Sequence, residues 1–223
     1  MNNGRLKARA AAELGLKTTG DEGTMLQEWA NEGVVDVLIE TKAHMDIASA
    51  TLTAGEGSYQ LDSDILLADE RTFTIPVRVV TVADLLALPS EQSDVVRYVA
   101  FDGDMMLVYP LPAANDEVSF LFVPRPAAMS SDLHDPSTST YGGLPEQIHF
   151  AVLDYMLKEG ARYDGSSPPM LPKDYEDRYE KYSLPKARKR VQRRQGRGQK
   201  EPRVGYPQRP TYGLNRGNDR YPF

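Results

Sequence analysis

The first part of the chain contains two segments in which apolar residues recur every three or four positions, the period of an amphipathic helix. Residues 5–14 form the first segment, which is rich in alanine and is followed by Gly15, a residue type that often ends helices. The second segment, residues 22–45, places one wide apolar stripe opposite acidic and amide side chains. We therefore predict two helices, the second of which buries Trp29 and Leu38 in the core.

From residue 47 the apolar period shortens to two, which is typical of half-buried strands. Further strands are predicted at Ile65–Leu67 and Thr72–Val80. Pro76 marks the second of these as an edge strand or a bulge, because proline cannot donate to the ladder. Val82–Leu88 predicts one or two helical turns that end at the following proline.

A hairpin is the clearest local signal in the β-rich stretch. The runs Arg97–Phe101 and Asp104–Tyr109 flank Asp102 and Gly103, a pair that favours a type I′ turn. The next strand, Glu117–Val123, is apolar on both faces. We therefore expect it to lie centrally in its sheet.

Residues 124–143 predict a long loop, the kind of segment that is usually a functional extension or mobile. Helices are predicted over residues 145–162 and 172–183, after which Pro185 marks the beginning of an extended arm. The last helix carries a tyrosine stripe that suits either a buried seam or, less often, a platform for stacking bases: Tyr175, Tyr179 and Tyr182.

This order of elements predicts the α+β class, with a helical bundle, an inserted small antiparallel β-sheet and a long extended C-terminal arm. The expected divisions are N-terminal bundle helices at 1–46, a β-rich region at 47–127, a loop at 128–144, C-terminal bundle helices at 145–183 and a basic arm at 184–223.

Charge separates the arm from the body. Residues 186–223 hold 12 basic and 2 acidic residues, a net charge of +10, whereas residues 1–185 have a net charge of −16. The arm has too few apolar residues to fold alone, so we expect it to gain order on a partner. The candidate docking residues are Lys186, Arg188, Lys189, Arg190, Arg193, Arg194, Arg197, Tyr206, Tyr212, Tyr221 and Phe223.

Three interpretations of the arm stay open at this point. It could dock along a partner protein, with prolines limiting the entropy lost on binding. It could bind nucleic acid through phosphate contacts and stacked aromatic rings. It could also be a solvated tail without a partner. Protein docking is favoured, because a pure phosphate binder would gain more from uninterrupted charge.

Candidate chemistry is sparse. The chain has no cysteine, no apolar run long enough to cross a bilayer and no phosphate-binding glycine motif. Glu146 and His149 are spaced for a metal, and the loop residues Asp132, His134 and Asp135 could hold a cation. Packing or surface roles are favoured for both groups, so we predict a protein that is not an enzyme, with no catalytic residues, no cofactor and no metal.

The order of segments resembles that of the head-to-tail adaptor (connector) proteins of tailed double-stranded-DNA bacteriophages. The segments that carry the resemblance fall between residues 5 and 182, and they are LQEWANEGVVDVLIE, GEGSYQLDSDIL, RVVTVADLLAL, YVAFDGDMMLVYPLP and LPEQIHFAVLDYMLKEGARY. The chain has Ser63 where the family often has proline, and its basic arm is longer than expected.

The resemblance implies a structural role in the virion neck, after assembly in the host cytoplasm. Its expected partners are the portal protein, a tail-side connector or tail protein, other copies in a ring, commonly a dodecamer, and double-stranded DNA passing through the channel. No membrane partner is implied. The C-terminal segment of such adaptors often grips the portal, which agrees with protein docking by the arm. The alternative is a nucleic-acid-binding module that uses the arm.

Overall fold

The computed structural model describes residues 1–72 and 77–198. The α-helices are α1 (Asn3–Leu14), α2 (Gly20–Thr41), α3 (Val82–Leu86), α4 (His149–Gly160), α5 (Pro172–Asp177) and α6 (Leu184–Gly198). Short 3-10 turns cover Ser139–Tyr141 and Glu146–Ile148, and a π-helix over Arg178–Ser183 joins α5 to α6. Within the described residues, no helix has the length and apolar character needed to cross a membrane.

The strands form three small sheets. They are β1 (Asp46–Leu52), β2 (Ser58–Gln60), β3 (Ile65–Thr72), β4 (Arg78–Val79), β5 (Gln92–Ser93), β6 (Tyr98–Asp102), β7 (Met105–Tyr109), β8 (Leu111–Pro112) and β9 (Asp116–Pro124). Their orders are β1-β9-β3, β2-β7-β6-β4 and β5-β8. Among the described strands, the pairings are antiparallel except for the two-residue contacts β4–β6 and β5–β8. The predicted α+β class is confirmed, with two short parallel pairings that the sequence did not suggest.

Helices and strands have separate hydrophobic cores. The helical core buries the stripe of α2, including Leu38, against α1, α4 and α6. Trp29 is only partly buried at the edge of this core, where its ring meets Tyr163 edge-on with centroids 6.2 Å apart. The expectation of a core position was wrong for Trp29, because the inner face of α2 at that level is occupied by Leu26 and Ala30.

Strand β9 connects the two cores, and its predicted central position is confirmed. It lies between β1 and β3 in its sheet. Val118 and Phe120 are buried in the β core, where the Phe120 ring lies 5.2 Å from that of Phe101. Val123, at the far end of the strand, is buried in the helical core.

The predicted hairpin forms, but its turn is shifted by one residue. Asp102 pairs with Met105, so Gly103 and Asp104 are the central residues. Gly103 has φ +59°, whereas Asp102 and Asp104 do not have positive φ. This pattern is typical of a type II′ turn, which needs positive φ only at its first central position, so the type I′ prediction was wrong. Residues 73–76, including Pro76 of the predicted 72–80 strand, lie outside the described residues.

The long loop before α4 is tied to the N-terminal helices. The amides of Asn3 and Gly4 donate to the carbonyl oxygens of His134 and Asp132, at 2.8 and 3.0 Å. The Asn31 side chain exchanges two hydrogen bonds with the backbone of Met129, at 2.9 and 3.3 Å. These bonds hold the loop against α1 and α2, so it forms a wall of the helical bundle.

The tyrosine stripe of the last predicted helix is only partly a seam. Tyr175 and Tyr179 are buried, as a seam requires, but Tyr182 is 71% exposed. The π-helix explains the difference, because the Leu184 amide donates to the carbonyl of Tyr179, five residues back instead of four. The extra residue turns Tyr182 toward solvent and brings Ser183 inward.

Candidate partner-binding surface

The end of the described chain is a basic helix. Between Leu184 and Gly198, α6 contains seven lysine or arginine residues and no acidic residue. Three other side chains, Leu184, Ala187 and Val191, are buried in the helical core. Their spacing of three and four is that of a helix lying on a surface with one face buried.

This helix corrects the prediction of an extended arm from residue 184. Pro185 was expected to end the preceding helix, yet the chain stays helical through it. Pro185 is the second residue of α6 and lies one residue beyond the π-helix, whose wider turn accommodates both its ring and its missing N–H group. The buried spacing Leu184–Ala187–Val191 is visible in the sequence and could have revealed the helix. Residues 184–198 are therefore ordered on their own subunit, which the prediction of order only on a partner did not allow.

Polar contacts fasten α6 to the end of α2. Arg188 forms an ion pair with the Glu40 carboxylate and donates from Nε to the Glu40 carbonyl oxygen at 3.1 Å. Two helical turns further along α6, Gln195 Nε2 donates to the Lys42 carbonyl oxygen at 3.1 Å. Since the last carbonyls of a helix lack intrahelical partners, these donors satisfy groups that would otherwise need water.

Two other basic residues of α6 contact the entry to α4. The Lys186 ammonium and the Arg190 guanidinium lie 5.3 and 5.0 Å from the centre of the Phe150 ring. Arg190 also donates to the carbonyl oxygen of Gln147. Cation–π contacts of this kind orient a charged side chain at modest energy. Lys186, Arg188 and Arg190 are therefore partly committed to their own subunit.

Lys189, Arg193 and Arg194 remain directed to solvent. All three are exposed, and none forms an ion pair with another described residue. Arg193 and Arg194 border a recess together with Arg190 and Gln147. We call Lys189, Arg193 and Arg194 the α6 basic face.

The remaining predicted docking residues lie at or beyond the end of α6. Arg197 belongs to the last turn of α6. Tyr206, Tyr212, Tyr221 and Phe223 lie outside the described residues. The docking role of all these residues stays a prediction.

The two groups weighed as metal ligands are occupied by protein contacts. His149 Nδ1 lies 2.8 Å from the amino group of Met1, and its Nε2 lies 2.9 Å from the Leu144 carbonyl oxygen. Burial lowers the pKa of His149, which favours the neutral ring. Asp132 pairs with Lys7 at 2.5 Å, and Asp135 lies 3.6 Å from the Met1 amino group. Across the described part of the chain, no cluster of three or more candidate ligands is suited to a metal ion.

Comparison with models of known protein families identifies the family of this chain. The family model described as SU10 adaptor protein matches residues 1–204. The chain belongs to the SU10 adaptor protein family. Comparison with curated proteins gave no match. The matched range takes in both cores and all of α6.

Membership confirms the resemblance to bacteriophage head-to-tail adaptors and makes this SU10 adaptor a structural protein of the phage virion. It implies a position in the virion neck and a role without catalysis. The site that matters in such a protein is a contact surface, so α6 is the main candidate.

Two substitutions test which α6 bases hold the helix on its subunit. Arg188→Ala should lower the free energy of unfolding by about 0.5–1 kcal/mol, because a half-exposed ion pair and a hydrogen bond are lost. Lys189→Ala on the same helix should change it by less than about 0.5 kcal/mol, since that side chain is exposed and forms no ion pair with another described residue. Urea denaturation of both variants measures the difference. Equal losses would contradict the assignment of Arg188 as an internal anchor.

Proposed function

We propose that this adaptor forms a closed ring beneath the portal, docks to the portal through residues from Lys186 onward, and lets DNA pass to the tail. The observation that carries the proposal is α6 itself. One face of the helix is packed on the body, so the α6 basic face is held in a fixed position before any partner arrives. A preorganised surface loses less conformational entropy on binding than an unfolded arm.

Repetition would strengthen the contact. A ring is built from one heterologous contact that repeats until it closes. Each copy would then present one α6 basic face to the portal ring. Because the copies are linked, individually weak charge contacts would act together through effective concentration.

The charge of the remaining chain supports DNA passage. Residues 1–185 have a net charge of −16, whereas the basic residues are concentrated from Lys186 onward. A predominantly acidic body repels phosphate, which would let DNA move through a channel without adhering. Contact with the next tail-side protein would complete the connection between head and tail.

Charge reversal of the α6 basic face tests portal docking. The full-length variant Lys189→Glu/Arg193→Glu/Arg194→Glu should bind purified portal rings at least about tenfold more weakly, because like-charge contacts replace favourable ones. The matched control reverses three exposed bases elsewhere, Arg5, Arg9 and Lys17, which gives the same change in net charge. Surface plasmon resonance on immobilised portal measures both variants.

The control separates a specific surface from general electrostatics. If both triple variants weaken binding equally, net charge and not α6 determines it. If neither does, the α6 basic face does not dock. Truncation after Gly198 then tests the tail residues alone, because it leaves the packed helix intact.

Nucleic-acid binding is the second candidate function, since exposed lysine and arginine side chains on one helix also suit phosphates. A binding assay on DNA tests this function. Phosphate binding by the α6 basic face should weaken steeply with salt, with a log–log slope of about −0.9 per contact. Charge reversal that abolishes DNA binding but leaves portal attachment intact would favour this function.

A further inference from the structure

A groove runs along α2 on the bundle surface. One wall is α2, with Val35 and Ile39, and the other is residues 126–129 of the long loop. Tyr141 and Tyr155 complete the lining, and the volume is about 440 Å³. The hydrogen bonds between Asn31 and Met129 hold the two walls together, so the groove is preformed. We call it the α2 groove.

The surroundings of the α2 groove are acidic. Glu32 and Asp36 line it, and Glu32 is exposed without an ion pair to another described residue. Burial raises the pKa of Tyr155 to about 12, with Glu159, Glu32 and Asp36 adding to the effect. Lys158 lies over the Tyr155 ring, but its ammonium is paired with Glu159 at 3.4 Å. A cationic group would therefore find favourable electrostatics here.

Aromatic-lined, apolar grooves with acidic residues are suited to one kind of peptide. Proline-rich segments bind such grooves as preformed polyproline II helices, which lose little entropy on docking. An arginine in the segment can pair with the acidic residues. The expected occupant is thus a short segment that combines prolines, an arginine and ring side chains.

This chain contains such a segment. Residues 206–212 read Tyr-Pro-Gln-Arg-Pro-Thr-Tyr, with Pro207 and Pro210 at the spacing of proline-rich ligands and Arg209 between them. It occurs in the part of the chain beyond residue 198. No feature of the family match assigns it a role, since the match ends at residue 204.

The segment can reach the α2 groove of its own subunit. Gln195 contacts Lys42, and along α2 the groove residues Ile39 and Asp36 lie about 4.5 and 9 Å before Lys42 at 1.5 Å per residue. The seven residues 199–205 can span up to about 23 Å. A tether this short gives an effective concentration on the order of millimolar, which favours the same chain over a second copy.

We propose that the α2 groove binds residues 206–212 of its own chain, with Arg209 facing Glu32 and Asp36 and the two prolines against the tyrosine-lined floor. The tail is then held on the subunit before assembly. Because the same residues are proposed to dock to the portal, a consequence that rests on the proposed function is competition between groove and portal.

Engineered cysteines test the contact, since the natural chain has none. In the full-length protein, Ala128→Cys places a thiol in the groove wall and Gln208→Cys places one in the segment. Mild oxidation should join them within one chain at least about tenfold faster than a control pair, Ala54→Cys with Gln208→Cys. Intact mass and denaturing gels identify the product as a monomer.

Substitutions show whether recognition or mere proximity drives the reaction. Pro207→Ala/Arg209→Glu/Pro210→Ala in the segment should slow the cross-link at least tenfold. Glu32→Lys in the groove should also slow it, whereas Glu28→Lys, an exposed residue one turn earlier on α2, should not. If the rate of the cross-link is unaffected by the segment and Glu32 substitutions, the proposal is wrong. So would a product that is mainly a dimer when the two single-cysteine proteins are mixed, because the occupant would then be a second copy.

A further experiment tests the groove contact and portal docking separately. Added portal rings should slow the intrachain cross-link if the tail docks to them. If the cross-link is specific but its rate is unchanged by added portal, the tail does not dock to the portal. The groove contact would still be supported. Absence of specific cross-linking would overturn the groove contact whatever the portal does.

Discussion

Ala187→Glu is expected to release α6 from the bundle, because it should lower the free energy of detaching the helix by about 3–4 kcal/mol. Ala187 is fully buried on the face of α6 that meets the helical core. A glutamate there must either place a carboxylate among apolar side chains or push the helix outward. Either outcome is unfavourable enough that the packed position of α6 is no longer stable.

Hydrogen exchange measures this loss in the helix itself. Protection of the amides in residues 184–198 should fall more than about 100-fold, since 1.4 kcal/mol corresponds to a factor of ten. Gln192→Glu is the matched control, because it adds the same charge to the same helix at an exposed position. If the two variants exchange alike, α6 is not held by its buried face, and the fixed basic surface proposed for portal docking loses its support.

The sequence predicted those parts of the fold in which a periodic pattern continues without interruption. The stripe of α2 and the doubly apolar strand β9 are examples, because each pattern is satisfied by one regular element. Long apolar patterns also fixed the α+β class. In both cases burial alone selects the structure, so local reasoning is sufficient.

The end of the chain was predicted less well because two local signals pointed away from the tertiary outcome. Pro185 normally ends a helix, and a dense cluster of positive charge normally stays solvated. The π-helix lets the chain stay helical through Pro185. The basic cluster is nevertheless ordered, because Leu184, Ala187 and Val191 pack on the core. Ion pairing of Arg188 with Glu40 depends on residues about 150 positions apart, which no local pattern reveals.

This difference also changes the account of docking. An arm that is unfolded up to its partner must lose entropy along its whole length when it binds. A chain that is helical to Gly198 loses that entropy during folding, so residues 184–198 do not lose it again on binding. The described part of the candidate surface is thus a fixed helix with exposed bases.

The π-helix has a second consequence in a buried charge cluster. It places Arg178 and Ser183 on the same carboxylate, Asp154 of α4, which is only 4% exposed. Arg178 Nη2 lies 2.8 Å from Asp154 Oδ1, and the Ser183 hydroxyl donates to Oδ2. Arg178 also pairs with Glu13 of α1 at 3.1 Å. The cluster joins α1, α4 and the π-helix.

Arg178→Ala should therefore lower the free energy of unfolding by about 2–4 kcal/mol at pH 7, because it leaves the Asp154 carboxylate buried without a counterion. We expect less than for a fully buried pair, since Arg178 is 40% exposed. Lys181→Ala is the control in the same π-helix. It removes only an exposed pair with Asp177 and should leave the free energy of unfolding nearly unchanged.

The pH dependence identifies the cause. Burial raises the pKa of Asp154 even in the intact cluster, although Ser183 and Arg178 act to lower it. A raised pKa in the folded state gives stability that is present below the unfolded value of 3.8 and is lost as pH rises through the folded value. Removing Arg178 should raise this pKa further, so the deficit of the variant should be large at pH 7 and shrink toward pH 4.

Urea denaturation of wild type and Arg178→Ala at both pH values measures that deficit, and taking the difference cancels the titration of other carboxylates. Adding Asp154→Asn to the variant removes the buried charge but keeps an acceptor for Ser183, so it should recover most of the loss at pH 7. A deficit that is the same at pH 4 and pH 7, with no recovery in the double variant, would show that lost packing of the arginine stem and not an unpaired carboxylate destabilises the protein. In that case the cluster would act only as a packing contact among α1, α4 and the π-helix.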